Sequence, residues 1–172
     1  MYRNTFLSVM FLACCFNGSL CAQSDAQIYE RTCDAKTYPF SDPSPVATPN
    51  NSYYPYFRFD GFSMQAQEKQ WKMVVLENDY VKLTVTPEIG GKIWGAIDKV
   101  NNKEFVYTNG VVKFRDVAMR GPWTSGGIEF NFGIIGHAPT CSTPIDYLTK
   151  KNVDGSVSCH IFSYEWITRT VW

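Results

Sequence analysis

The sequence has no excess of charge, no metal-ligand spacing and no helical hydrophobic stripe, and each absence excludes a class of function. Its 16 basic and 16 acidic residues cancel. Nucleic-acid binding needs a basic stripe that displaces phosphate counterions, and none is present. No polybasic cluster suits an anionic membrane surface. Six cysteines and two histidines occur without a CxxC or Cys/His spacing, so neither a metal site nor a metal cofactor is implied. No phosphate-cradling glycine loop or nucleophile motif is found, and nothing implies an organic cofactor.

What is present is a set of short period-two segments. Val81, Leu83 and Val85 alternate with Lys82, Thr84 and Thr86, the pattern of a half-buried strand. Pro87 ends that run, and Gly90-Gly91 permits a backbone path that a Cβ resists. Residues 93–97 resume extended chain. Residues 71–76 form an earlier apolar run that turns at Asn78-Asp79, and residues 98–103 make a polar turn. Asn109-Gly110 predicts a hairpin between 104–107 and 111–114, and Asp154-Gly155 predicts another between 146–151 and 156–162. Residues 163–172 read as a further strand. The spacing predicts an all-β antiparallel sandwich, with Trp71 and Trp94 in its core.

The ends read differently. Arg3 followed by the apolar residues 6–16 predicts a signal peptide over 1–22, with cleavage after Ala22, and hence a secreted or periplasmic location. An alternative is a lipoprotein signal with Cys14 behind Phe11-Leu12-Ala13. The apolar run is too short for a transmembrane helix. Residues 23–52 carry Pro39, Pro43, Pro45 and Pro49 and read as an irregular tether, leaving 53–172 as the sandwich. Residues 53–62 are aromatic and extended. Cys33, Cys141 and Cys159 remain after cleavage, so one stays unpaired within the chain. A two-residue turn at Asp154-Gly155 sets Cys159 opposite Lys150 and Cys141 opposite Thr168, which argues against a Cys141–Cys159 bridge. The last segment stops with Trp166, Thr168, Thr170 and Trp172 on one alternating set, and an apolar sheet edge left open in this way suggests the N-terminal part of a longer protein.

The candidate site residues lie between 120 and 146. Aromatics are 16% of the chain, which suits a β-rich core and also suits stacking on sugar faces. Trp123, after Gly121-Pro122, is the stacking candidate, with core packing as the plain alternative. Glu129 follows Gly126-Gly127 and can accept a sugar hydroxyl or act as a general acid or base; the alternative is a strand carboxylate paired with Arg120 or Arg115. His137 lies in a glycine-flanked loop, where binding residues concentrate. Arg120 can fork onto hydroxyls or a carboxylate, and Asn131 can offer its amide. Asp146 is the natural second carboxylate for glycoside hydrolysis. His160 reads as structural.

The stretches LENDYVKLTVTPEIGGKIWGAIDK, YPYFRFDGF, VVKFRDVAMRGPWTSGGIEFNFGIIGHAPT and TPIDYLTKKNVDGSVSC resemble a known family. The first is similar to the N-terminal strands of the galactose mutarotase-like superfamily. The set together resembles its secreted bacterial branch, domain of unknown function 5107, over roughly residues 38–159. The resemblance implies a supersandwich holding a sugar in its concave face, here truncated at the C-terminus, with tetratricopeptide repeats after it. A mutarotase's catalytic Glu has no counterpart before Trp172, and the family's His-Gly order is Gly136-His137 here, so no catalytic role carries over. If the protein is an enzyme, the resemblance points to a glycoside hydrolase or sugar epimerase with part of its machinery beyond Trp172. The implied partner is a poly- or oligosaccharide. A structural or assembly module serving protein partners through the repeats is the alternative from another class.

Overall fold

The computed structural model describes residues 26–40, 61–116, 122–132, 137, 140–165 and 169–172. The residues read as a signal peptide, most of the aromatic segment 53–62 and Arg120 lie outside the described residues. Those that are described form an all-β, sandwich-like structure whose only helical element is a 3-10 turn at Pro87–Ile89. Among them, no helix is long and apolar enough to cross a membrane.

Among the described residues eleven strands occur in chain order. They are β1 (Gln27–Tyr38), β2 (Gln67–Glu77), β3 (Val81–Thr86), β4 (Lys92–Asp98), β5 (Lys103–Val106), β6 (Val112–Asp116), β7 (Pro122–Thr124), β8 (Asp146–Lys151), β9 (Val157–Phe162), β10 (Tyr164–Glu165) and β11 (Thr170–Val171). The first seven make one sheet in the order β5-β4-β3-β2-β1-β6-β7. The expected strands at 81–86 and 93–97 are present, and the run at 71–76 lengthens into β2. Asn78 makes the turn between β2 and β3, its side-chain oxygen accepting from the amides of Tyr80 and Val81 at 2.9 Å each.

The tether reading of 23–52 is corrected over residues 27–38. They form β1, which pairs antiparallel with β2 from Gln27↔Glu77 to Thr37↔Gln67. The segment lacks an apolar stripe because much of it is solvent-facing. Its place in the sheet comes from β2, which supplies the buried Trp71, Met73, Val74 and Val75. β1 also pairs with β6, and that pairing is parallel, so the sheet is mixed rather than wholly antiparallel.

The hairpin expected at Asn109-Gly110 is not formed. β5 pairs with β4, whereas β6 pairs with β1 and β7. Residues 107–111 cross between these neighbours, held by the Gly127 amide on the Tyr107 carbonyl at 2.8 Å and by Asn109 on the Ser125 hydroxyl at 2.6 Å. Burial of Val112 and Phe114 in the core beside Trp71 favours this crossing over a local turn. The hairpin β8–β9 does form, one residue out of the expected register. Cys159 faces Thr149, because the loop spans five residues and Asn152 closes it onto Ser156. The expected single strand over 163–172 is instead two short strands, with Ser163 and Trp172 exchanging backbone hydrogen bonds.

The core cluster is Trp71, Met73, Ile89, Trp94, Val112 and Phe114, with Cys33, Ala35 and Phe40 packed against it. Trp71 and Trp94 are core residues, as the alternation implies. Trp71 donates its indole N–H to the Thr37 hydroxyl at 2.9 Å, which satisfies both buried groups. Trp94 is the extra residue of a bulge, since Val85 faces Ile93 while Thr84 faces Gly95. Cys33 and Cys159 are free thiols. Burial, and then the charge of Glu129, push the Cys141 thiol up to about 11.

Trp71→Ala removes a large buried ring and its hydrogen bond, so it should lower unfolding free energy by about 3–5 kcal/mol in denaturant titration. Val153→Ala, at a fully exposed hairpin tip, should stay within about 0.5 kcal/mol. At neutral pH the neutral thiol of Cys141 should resist iodoacetamide in the folded protein and react once it is unfolded, as read by peptide mass spectrometry.

Candidate functional site

The site is built where the chain leaves β7 and doubles back onto β4. After Thr124 the backbone enters Gly126 and Gly127, both left-handed, with φ of 81° and 70°. A Cβ on Gly127 would lie 2.3 Å from the Ile93 carbonyl oxygen, so only glycine fits this approach. Ile93 and Ile128 can then exchange backbone hydrogen bonds at 3.0 and 2.8 Å. That bridge fixes the backbone immediately before Glu129.

Glu129 returns to the residue that opened the turn. Its Oε2 accepts from Trp123 Nε1 at 2.9 Å, and its Oε1 lies 2.7 Å from His137 Nδ1. The His137 ring meets Trp123 edge-on at 6.4 Å. The Glu129 side chain is 11% exposed and that of His137 is 40% exposed. Three candidates read from the sequence thus converge, although Trp123 and His137 lie fourteen positions apart.

The contacts define chemical roles. An ionised carboxylate only accepts hydrogen bonds, so His137 Nδ1 is the donor. In the neutral ring, Nε2 is then the basic nitrogen. Both Glu129 oxygens are engaged within the protein, so this carboxylate orients Trp123 and His137, while the imidazole reaches solvent. The salt bridge considered for Glu129 with Arg115 is not its arrangement. Arg115 donates instead to the Phe114 carbonyl at 2.6 Å and stacks over Phe62.

A fourth residue, Lys92, escaped the sequence reading. It is 1% exposed and its ammonium donates to the Thr124 carbonyl at 2.8 Å and hydroxyl at 3.1 Å. The same nitrogen lies 5.8 Å from the Trp123 ring and 6.0 Å from the Trp94 ring. Burial holds its pKa below the usual lysine value, and the negative charge of Glu129 opposes that shift. The available signal was the alternation of Lys92, Trp94 and Ala96, which puts a lysine on a buried face of β4.

The remaining candidates are placed elsewhere. Asn131 lines an apolar cavity of about 430 Å³ with Leu76, Leu83, Ile93, Ile161 and Trp172. Asp146 is exposed at the start of β8, where it pairs with Phe162, and is not among the hydrogen-bond partners found for Glu129. His160 is exposed on β9 opposite Leu148. Among the described residues no group of three or more His, Cys, Asp or Glu is placed to hold a metal.

Two comparisons bear on this arrangement. A family model described as "Domain of unknown function (DUF5107)" matches residues 48–172. The chain is also similar to a solved TPR-domain containing protein from Parabacteroides distasonis ATCC 8503, at 27% identity and a TM-score of 0.72. That similarity covers 83% of this chain and 25% of the other, so this chain spans about a quarter of the length of its solved relative.

Gly127→Ala tests the construction of the site. The added methyl meets the Ile93 carbonyl in a left-handed backbone, so the variant should lose more than about 1 kcal/mol of stability. It should also shift the Trp123 indole N–H resonance, because the Ile93–Ile128 bridge and the Glu129 carboxylate move together.

Proposed function

The chain belongs to the DUF5107 family, and from that premise we propose that it is a carbohydrate-binding sandwich module whose site is the Trp123–Glu129–His137 constellation. One observation carries the reading. An indole and a half-exposed imidazole are locked in place by one shared carboxylate, next to a buried cation. Sugars are bound by fixed hydrogen-bonding groups beside an aromatic ring, and rigid placement lowers the ordering cost of binding. The resemblance of the β3–β4 stretch to galactose mutarotase-like proteins supports the same ligand class. The first 22 residues read as a secretion signal, which suits a protein that meets polysaccharide outside the cytoplasm.

His137 is the residue placed to exchange a proton with a ligand hydroxyl, with Glu129 as its orienter. A hydrolytic pair of Glu129 with Asp146 draws less support, because both Glu129 oxygens already have protein partners.

A second reading follows from the solved relative, which is described as a TPR-domain containing protein. In that reading the sandwich is a module of tetratricopeptide-repeat proteins and presents a surface to protein partners. Exposed apolar side chains such as Leu148, Phe162 and Val171 support it.

A glycan array followed by calorimetry on the full-length protein separates the two. The carbohydrate reading expects a wild-type ligand, and at least roughly tenfold weaker binding by Trp123→Ala and Glu129→Ala, consistent with losing a fixed aromatic and its hydrogen bond. Wild-type protein that binds no sugar removes this reading. Equal binding by both variants removes the site.

A further inference from the structure

We propose that Lys92 is the positioning residue of this site: its ammonium, held by Thr124 within 6.0 Å of two indole rings, supplies the positive charge that lets Glu129 accept from Trp123 and His137 at once. The inference concerns the site of the preceding section and rests on that reading for its purpose. Its evidence is the packing alone.

A carboxylate that is 11% exposed has lost most of its water, and a buried charge needs a counter-charge as well as hydrogen bonds. Trp123 and a neutral His137 offer N–H dipoles but no net charge. Among the described residues, the titratable groups that bear on this carboxylate are Lys92 from β4, His137, and Cys141 from the segment before β8. Cys141 is a neutral thiol near neutral pH, so it brings no cation. Lys92 does. Its 1% exposure excludes solvent as its partner, and Thr124 satisfies its hydrogen bonds without neutralising it. The Trp123 ring lies over the ammonium at 5.8 Å while its Nε1 holds Glu129 at 2.9 Å. Trp123 therefore touches both charged groups, its ring neighbouring the Lys92 ammonium and its Nε1 holding Glu129. The direction of the Lys92 shift agrees, since Glu129 favours its charged form against burial. A lysine serving only to pack would need no acidic neighbour, and an apolar residue would fill its place at lower cost.

The test is a pair of measurements on the full chain without any sugar. In folded Lys92→Met, the Trp123 indole N–H and His137 imidazole resonances at neutral pH should move toward their positions in Glu129→Gln, reporting loss of the bonds to the carboxylate. In Glu129→Gln, the Lys92 ammonium should lose its proton at a lower pH than in wild type, because the negative charge that favours its charged form is gone. If Lys92→Met fails to fold, the near-isosteric Glu129→Gln decides alone. A Lys92 midpoint unchanged in Glu129→Gln, or Trp123 and His137 resonances unchanged in folded Lys92→Met, overturns the proposal. Coupling found in a protein that binds no glycan would keep this role and remove the carbohydrate reading. Glycan binding without coupling would do the reverse.

Discussion

The two backbone hydrogen bonds between Ile93 and Ile128 are the constraint on which the site depends. They exist because Gly127 has no Cβ to strike the Ile93 carbonyl. On one side of this bridge the next residue is Glu129, and on the other the preceding residue is Lys92. One short approach between a strand and a loop therefore sets a carboxylate and a cation around the ring of Trp123. The sheet supplies the rigid half. β4 is paired on both sides, and its bulge turns Trp94 into the core.

The shared carboxylate then governs the chemistry. With one oxygen on an indole and the other on an imidazole, Glu129 gives up its own reach toward a ligand and fixes two groups that have reach of their own. This differs from a paired-carboxylate site, in which one acid must remain free to take or give a proton. It suits recognition, and proton exchange through a single histidine. A module of this kind is consistent with both proposed roles, because binding sugar and presenting a surface need not use the same face.

Local pattern made part of this legible. β3 and β4 follow period-two alternation, and the Asn78 turn follows from side-chain bonding to the backbone. Trp123, Glu129 and His137 stood out because glycines beside polar and aromatic residues mark backbone approaches. Other features were set by distant partners. β1 is polar along much of its length and gains its place from pairing with β2, which no local pattern reveals. Asn109-Gly110 has ideal hairpin chemistry, yet Val112 and Phe114 are buried in the core beside Trp71, and their strand pairs with β1. The register of β8–β9 turned on Asn152 bonding to Ser156, a detail finer than the Asp-Gly signal. Lys92 was passed over because a lysine at the head of a strand normally points to water, and the Trp123 ring and Thr124 that receive it come from elsewhere in the chain.

The central claim is that Glu129 joins Trp123 and His137 into one oriented unit, and the tautomer of His137 tests it most directly. Long-range proton–nitrogen correlation spectra of the imidazole, taken where the ring is neutral, should show the proton on Nδ1, with Glu129→Gln changing that distribution. A ring carrying its proton on Nε2 in the wild-type protein, unaffected by Glu129→Gln, would contradict the account.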